Sequence, residues 1–244
     1  MASRHLRLIA VNIDGVLLND TFSPVIHRFV VSRGDVYTAE LERAVLSQSQ
    51  LRAAAVLARP GEGPEEVVEA YFREREAYLR TNPVRMLDGA VEMLERLRTF
   101  GSPLVCYGGL DRSHFDRYLG SYAGYFDGPG YVCTNGFRPG IREIAEDVFG
   151  LRCDQALFID DVARVAEAAR RLGAAFIGHP TDYEHSFQRL LMREAGARHI
   201  VDSLHAVDEK LLHTVEAEAG SSRLWPSRCV DSSGLPARES AAAA

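Results

Sequence analysis

The feature that most constrains this chain is a short apolar run that stops on polar residues. Leu6-Arg7-Leu8-Ile9-Ala10-Val11 is followed at once by Asn12-Ile13-Asp14-Gly15. A nearly continuous apolar run of this length, with one charge near its outer end, reads as a strand buried on both faces. Side chains alternate along an extended backbone, so Asn12 and Asp14 point the same way. Two polar groups converging at the carboxyl end of a central strand mark the place where open α/β sheets bind their ligands.

Similar runs recur along the chain. Pro103-Leu104-Val105-Cys106-Tyr107 is released into Gly108-Gly109, Tyr131-Val132-Cys133 is a shorter strand, and Ala156-Leu157-Phe158-Ile159 stops abruptly on Asp160-Asp161. Ala174 to Gly178 is a further strand, and His199-Ile200-Val201 a last short one. Helical periodicity fills the intervals: Asp88 to Thr99, Asp111 or Ser113 through Leu119, Gly140 to Phe149, and Val162 to Leu172 closed by Gly173. A helix near residues 183–195 and another from Leu204 to about Ala217 follow. Strands alternating with helices of this length predict a Rossmann-like α/β fold, a parallel sheet with helices on both faces.

Residues 19–82 break that alternation. Ser23 as N-cap with Pro24 at the first helical position opens one helix through Val31. Helical spacing resumes at Thr38 and runs through Leu57, and the cluster Pro60-Gly61-Glu62-Gly63-Pro64 precedes a further helix to Arg80. An all-helical insertion directly after the first strand is placed to act as a lid over its end. The expected organisation is a core of residues 1–18 and 83–219, a helical cap of residues 19–82, and an aperiodic tail from residue 220. That tail is expected to be mostly disordered, with Trp225 as its only large anchor.

Composition narrows the function classes. The chain of 244 residues is 46% hydrophobic and carries a formal charge of −6, which argues against a nucleic-acid binder with a basic stripe. No run reaches membrane-span length, and the residues before Leu6 do not lead into a secretory signal of the usual design. Cys106, Cys133, Cys153 and Cys229 show no metal-ligand spacing, and a reducing cytoplasm is the default for such usage. Lys210 is the only lysine among 28 basic residues, an arginine and alanine bias that points to a GC-rich, bacterial genome rather than to a function. Oligomeric state is left open.

Two strand ends therefore carry acids, Asn12/Asp14 and Asp160/Asp161. If both strands are central, three carboxylates and an amide meet above the sheet and repel unless a hard cation sits among them. Oxygen ligands of this kind favour Mg²⁺, with Asp14, Asp160 and Asp161 as its candidate ligands. Helix capping by Asp161 is the bland alternative for the acid pair, and a turn before Gly15 that for Asp14.

The order of these features resembles the haloacid dehalogenase (HAD) superfamily. The resemblance covers roughly residues 6–215 and is best in Phe158-Ile159-Asp160-Asp161-Val162-Ala163-Arg164-Val165-Ala166-Glu167-Ala168-Ala169 followed by Gly173-Ala174. It implies a helical cap after the first motif and a phosphatase-like mechanism. In that mechanism the first Asp of DxD attacks phosphorus, and the second is general acid/base. The acid pair holds Mg²⁺, and a Ser/Thr and a basic residue grip the phosphoryl group. Three positions depart from the pattern. The nucleophile position is Asn12, and a neutral carboxamide cannot form the acyl phosphate. The Ser/Thr position falls on Tyr107, or on Gly108 if the register slips by one, and the lysine position on Arg138. Arg138 still offers bidentate charge, and Gly108-Gly109 offers backbone N–H groups as an anion nest.

Three functions follow from this set. One is an enzyme on a small phosphorylated or anionic metabolite, with Asp14 as acid/base, Asn12 beside it and no covalent intermediate. A second is a phosphomonoester hydrolase whose nucleophile Asp is replaced by Asn12. The third is a binding or regulatory protein that holds a phosphate ester without turning it over. Nucleic-acid and membrane partners are not expected.

Overall fold

The computed structural model describes residues 4–226. Five parallel strands form one sheet in the order β3-β2-β1-β4-β5: β1 Leu8–Asn12, β2 Leu104–Gly108, β3 Tyr131–Cys133, β4 Ala156–Asp160 and β5 Ala175–Gly178. The α/β, Rossmann-like class expected from the strand–helix alternation is the class found. After β1 the chain builds outward to β2 and β3, then crosses to the other side for β4 and β5. The strand order reverses beside β1, so a ligand crevice belongs at the carboxyl ends of β1 and β4.

Alternation sorts the strand residues onto two cores. Ile9, Val11, Leu104, Cys106, Leu157 and Ile159 pack on one face, against α5 (Ala90–Phe100) and α9 (Glu209–Gly220). Leu8, Ala10, Val105, Tyr107, Ala156 and Phe158 pack on the other, against α7 (Ala163–Leu172) and α8 (Gln188–Glu194). Every strand residue of β1, β2 and β4 is buried, which is why these runs carry almost no polar positions until their last residue. Val11 pairs with Cys106 and with Ile159, so Asn12 ends level with Tyr107 on one side and beside Asp160 on the other.

Four helices stand between β1 and α5: α1 Ser23–Ser32, α2 Ala39–Val45, α3 Gln50–Leu57 and α4 Pro64–Leu79. The continuous pattern read from Thr38 to Leu57 is divided, because Ser47 adopts a left-handed backbone (φ 56°) and turns the chain between α2 and α3. Ser23 was the expected cap of α1. Asp20 does that work instead, its Oδ1 accepting from the N–H groups of Phe22 and Ser23 at 2.8 and 3.0 Å.

Other expectations shift in detail. His199–Val201 forms only a single bridge, Gly178 to Ile200, rather than a strand. The expected helix from Leu204 is a short 3₁₀ turn followed by α9, which Asp208 starts by accepting from Leu211 N–H. The 140–149 segment is helical but contains a π-helical stretch, Glu143–Val148. Gly173 closes α7 in a left-handed conformation (φ 72°), as a helix end of this type requires. Trp225 donates its indole N–H to Ala174 O at 3.0 Å and stacks on Phe176, so the beginning of the tail is anchored. The expectation for the rest of the tail, from residue 227, lies outside the described residues. No described helix is long and apolar enough to cross a membrane.

One buried charge ties the helical segment to the sheet. Glu42 on α2 is fully buried, and its carboxylate accepts from Ser186 Oγ (3.0 Å), Phe187 N–H (2.9 Å) and Gln188 Nε2 (2.5 Å). Removing an acceptor that satisfies several buried donors costs more than the hydrogen bonds themselves are worth. Glu42→Ala is therefore expected to lower unfolding free energy by about 3 kcal/mol, measured by urea denaturation. A loss under about 1 kcal/mol would show that water replaces the carboxylate freely.

Candidate active site

The polar ends of β1, β2 and β4 meet on one face of the sheet. Asn12, Tyr107 and Asp160 lie in adjacent rows, and alternation puts all three on the side facing α7. Tyr107 is completely buried and donates its hydroxyl to Asp160 Oδ2 at 2.5 Å, reaching over the intervening strand. Two inter-strand spacings separate β2 from β4, about 10 Å, so a phenol bridges them where a serine hydroxyl could not. Tyr107 was expected to face a phosphate. It faces Asp160 instead and is not part of the cavity wall.

Asn12 lines the cavity, but its amide nitrogen is committed within the protein. Its amide Nδ2 donates to the Asp14 backbone carbonyl and to Asp161 Oδ1, each at 2.8 Å. Asp160 Oδ1 accepts from Val162 N–H at 2.7 Å, so Asp160 rather than Asp161 stabilises the turn into α7. Asp161 lies directly over Gly15. A Cβ added at Gly15 would sit 2.1 Å from Asp161 Oδ2, and Gly15 holds φ 85°, so only glycine fits there.

Asp14 turns the other way. Its Oδ1 is 2.9 Å from His114 Nε2, with both side chains nearly shut off from solvent, at 11% and 10% exposure. His114, on α6 (Arg112–Leu119), packs edge-on against Tyr118. No sequence signal points to His114, which lies a hundred positions from its partner.

The expected Mg²⁺ set was Asp14, Asp160 and Asp161. Among the described residues no group of three or more His, Cys, Asp or Glu side chains is arranged to hold a metal ion. Each carboxylate already meets a donor: His114 on Asp14, Tyr107 and Val162 N–H on Asp160, and Asn12 on Asp161. The Asn12 nitrogen presents hydrogens to the same two oxygens that a cation between Asp14 O and Asp161 would need. In this arrangement the donor set does not fit a hard divalent cation, which requires several free oxygen ligands.

Burial has a consequence for charge. It pushes Asp160 up from the ordinary carboxylate range, opposed by the Tyr107 hydrogen bond and by Arg138. It pushes Asp161 well above that range, with the Asp160 and Asp20 charges adding to the effect and the Asn12 hydrogen bond opposing it. Tyr107 and Val162 N–H both donate to Asp160, so of the two carboxyls Asp161 is held further above the ordinary range.

A cavity of ≈ 140 Å³ opens beside these groups and extends under the helical segment. Asn12, Asp14, Asp161, Gly109 and Arg138 line its polar end. Arg138 donates to Thr134 Oγ1 at 3.1 Å, and Thr134 in turn donates to Gly108 O, so the guanidinium is held beside the β2 turn. Gly108 itself packs against Ile13 and Tyr131 rather than the cavity, and a Cβ there would lie 2.4 Å from Ile13. Gly109 and Leu110 both line the cavity, and among the described residues their N–H groups have no hydrogen-bond partner.

Comparison with solved structures decides the architecture. A HAD family hydrolase from Deinococcus radiodurans, solved with bound phosphate and sodium, matches with a TM-score of 0.57 at 20% identity, covering 92% of this chain and 100% of that one. This is a HAD fold. A haloacid dehalogenase-like hydrolase from Streptococcus pneumoniae matches the HAD-fold chain with a TM-score of 0.61 at 17% identity, over 86% of this chain and 99% of its own. A predicted phosphatase from Clostridium acetobutylicum matches with 0.60 at 17%, over 85% and 99%. No family model matches the sequence, and no curated protein matches it significantly.

The raised Asp161 has a testable sign. The folded state holds a proton that the unfolded chain releases near the ordinary carboxylate pKa, so this pair takes stability away as pH rises above that value. Asp161→Asn keeps an acceptor for Asn12 and removes the ionisation. The variant is expected to melt higher than the parent, by a margin that grows between about pH 4 and pH 7. A margin that stays constant or reverses over that interval would show that Asp161 is ionised in the folded protein.

Proposed function

We propose that this HAD-fold chain is a hydrolase-type enzyme for a small anionic, phosphate-bearing substrate, with Asp14 as its acid/base. It uses neither an aspartyl-phosphate intermediate nor a divalent cation. The observation that carries this reading is the Asp14–His114 pair on the cavity wall. One Asp14 oxygen is fixed by the imidazole, which leaves the other to take a proton in a nearly dry site, as a general base must. In this scheme Asp14 receives the proton of an attacking water and returns it to the leaving oxygen, so the ester bond is exchanged for a bond to hydroxide and the proton count balances.

Several features support an anionic substrate. Arg138 and the free N–H groups of Gly109 and Leu110 gather at one end of the cavity, an arrangement suited to anionic oxygens. Asn12 in place of a carboxylate, beside an Asp161 whose burial disfavours its charged form, lowers the negative charge that such an anion would meet. A neighbour of the same fold was solved with bound phosphate. The nucleophile position speaks against the covalent route, since the Asn12 nitrogen is donated to Asp14 O and Asp161 and an amide is a poor nucleophile.

A second reading, ligand binding without turnover, is favoured by one observation: Asn12 and Tyr107 convert the strand ends into a closed hydrogen-bonded network. One assay separates the two. The parent chain, Asp14→Asn and Asn12→Asp are compared on a panel of phosphate esters, with Mg²⁺ and with chelator. The enzyme reading expects turnover by the parent that chelator does not change and that Asp14→Asn lowers at least 100-fold, the usual scale of general acid–base catalysis, ~10²–10⁴. Binding without turnover in the parent supports the second reading. Turnover only in Asn12→Asp with Mg²⁺ would identify a phosphatase disabled at its nucleophile.

A further inference from the structure

The cavity lining includes residues with polar atoms that the protein itself leaves without partners. Asp20 Oδ2, Ser47 Oγ and the Tyr71 hydroxyl are each closed to solvent and have no hydrogen-bond partner among the described residues. All three residues line the same cavity. Ser47 as a whole is 4% exposed. Buried polar groups in native proteins are almost always paired, so three orphans on one cavity wall call for a common explanation. A missing ligand supplies one, because it would bring partners to all of them.

The surroundings of these atoms define that ligand. The wall is mostly hydrocarbon, with Phe22, Ile26, Leu57, Val67, Val68 and Phe72 among its lining residues and Ser23, Gln48, Gln50 and Asn135 as further polar ones. The whole cavity, its polar end included, measures ≈ 140 Å³, close to one that holds a benzene-sized ring, about 150 Å³, so the ligand must be compact. Asp20 is acceptor-only when ionised, so the ligand must donate to it, and a hydroxyl that also accepts would serve Ser47 or Tyr71 as well. A sugar, with a hydroxyl on nearly every carbon, would leave most of its polar groups facing hydrocarbon unpaired.

We propose that the substrate's body is apolar and ring-sized and carries a hydroxyl group that pairs with the orphaned atoms of Asp20, Ser47 and Tyr71. This rests on the anion-headed substrate proposed above: the anion sits at Arg138, Gly109 and Leu110, and the apolar body extends under α1, α3 and α4. The helical segment thus selects an aryl or compact alkyl ester over a sugar phosphate. Because the orphaned hydroxyl of Tyr71 burdens the empty protein, removing it has opposite effects on stability and on binding.

Calorimetric titration of the full chain with four probes tests this: 4-(hydroxymethyl)phenyl phosphate, glucose 6-phosphate, inorganic phosphate and the phosphate-free 4-(hydroxymethyl)phenol. The hydroxymethyl aryl phosphate is expected to bind at least about tenfold tighter than either glucose 6-phosphate or inorganic phosphate. Tyr71→Phe is expected to weaken that ligand several-fold while raising the melting temperature of the unliganded protein. Glucose 6-phosphate binding as tightly as the aryl ester would overturn the apolar-body proposal and leave the anion site standing. The phosphate-free phenol binding as tightly as its ester would support the apolar body and remove the anion site. No binding by any probe, or a Tyr71→Phe variant that melts lower and binds unchanged, would overturn the proposal.

Discussion

The site depends on one small interaction, the pair of hydrogen bonds from Asn12 Nδ2 to the Asp14 carbonyl and Asp161 Oδ1. They join the end of β1 to the turn after β4, the two strand ends that flank the reversal of strand order. A carboxylate at position 12 would face Asp161 with like charge and, without a cation between them, would force the strand ends apart. An amide removes the charge and supplies hydrogens. The same substitution therefore closes the covalent route to phosphate hydrolysis and makes the acid cluster self-sufficient. Asp161 can then lie tightly over Gly15.

Tyr107 completes that logic. A short hydroxyl at the end of β2 would be left to a ligand, but a phenol on the same residue reaches Asp160 across the Asn12 strand. The acid pair then receives donors from β1, from β2 beyond it and from the backbone of Val162. What remains free is Asp14, which the chain turns away from the cluster toward His114. The two departures from the HAD pattern at positions 12 and 107 thus act together. Each supplies a hydrogen-bond donor to the acid pair, Asn12 to Asp161 and Tyr107 to Asp160.

The fold was largely legible because it depends on local pattern. Buried parallel strands must be apolar until they end, so β1, β2, β4 and β5 announce themselves and their last residues mark the site. His199–Val201 has the composition of a strand but meets the sheet at a single bridge, because only Ile200 comes alongside Gly178. Asn12, Asp14, Asp160 and Asp161 were readable as a constellation, whereas their partners were not. The Tyr107–Asp160 contact depends on strand order and register, and His114 reaches Asp14 from a helix with no motif of its own. Tyr71 was one of several residues of the helical segment that could face a ligand, but Asp20 and Ser47 carry no signal, since an unpaired polar atom becomes visible only after everything around it is packed.

That last point bears on how the two halves of the cavity relate. At the sheet end Asn12, Asp14, Asp161 and Arg138 all have partners within the protein, while the N–H groups of Gly109 and Leu110 have none among the described residues. Under the helices the wall is mostly hydrocarbon, and Asp20, Ser47 and Tyr71 on it carry unsatisfied atoms. Glu42 fixes the register between these halves, because its three buried hydrogen bonds seat α2 on the segment before α8. With α2 held, the left-handed turn at Ser47 presents its hydroxyl from a rigid element rather than from a free loop. The helical segment and the end of β1 are then held as parts of one cavity, with Asp14 and Ser47 both on its lining.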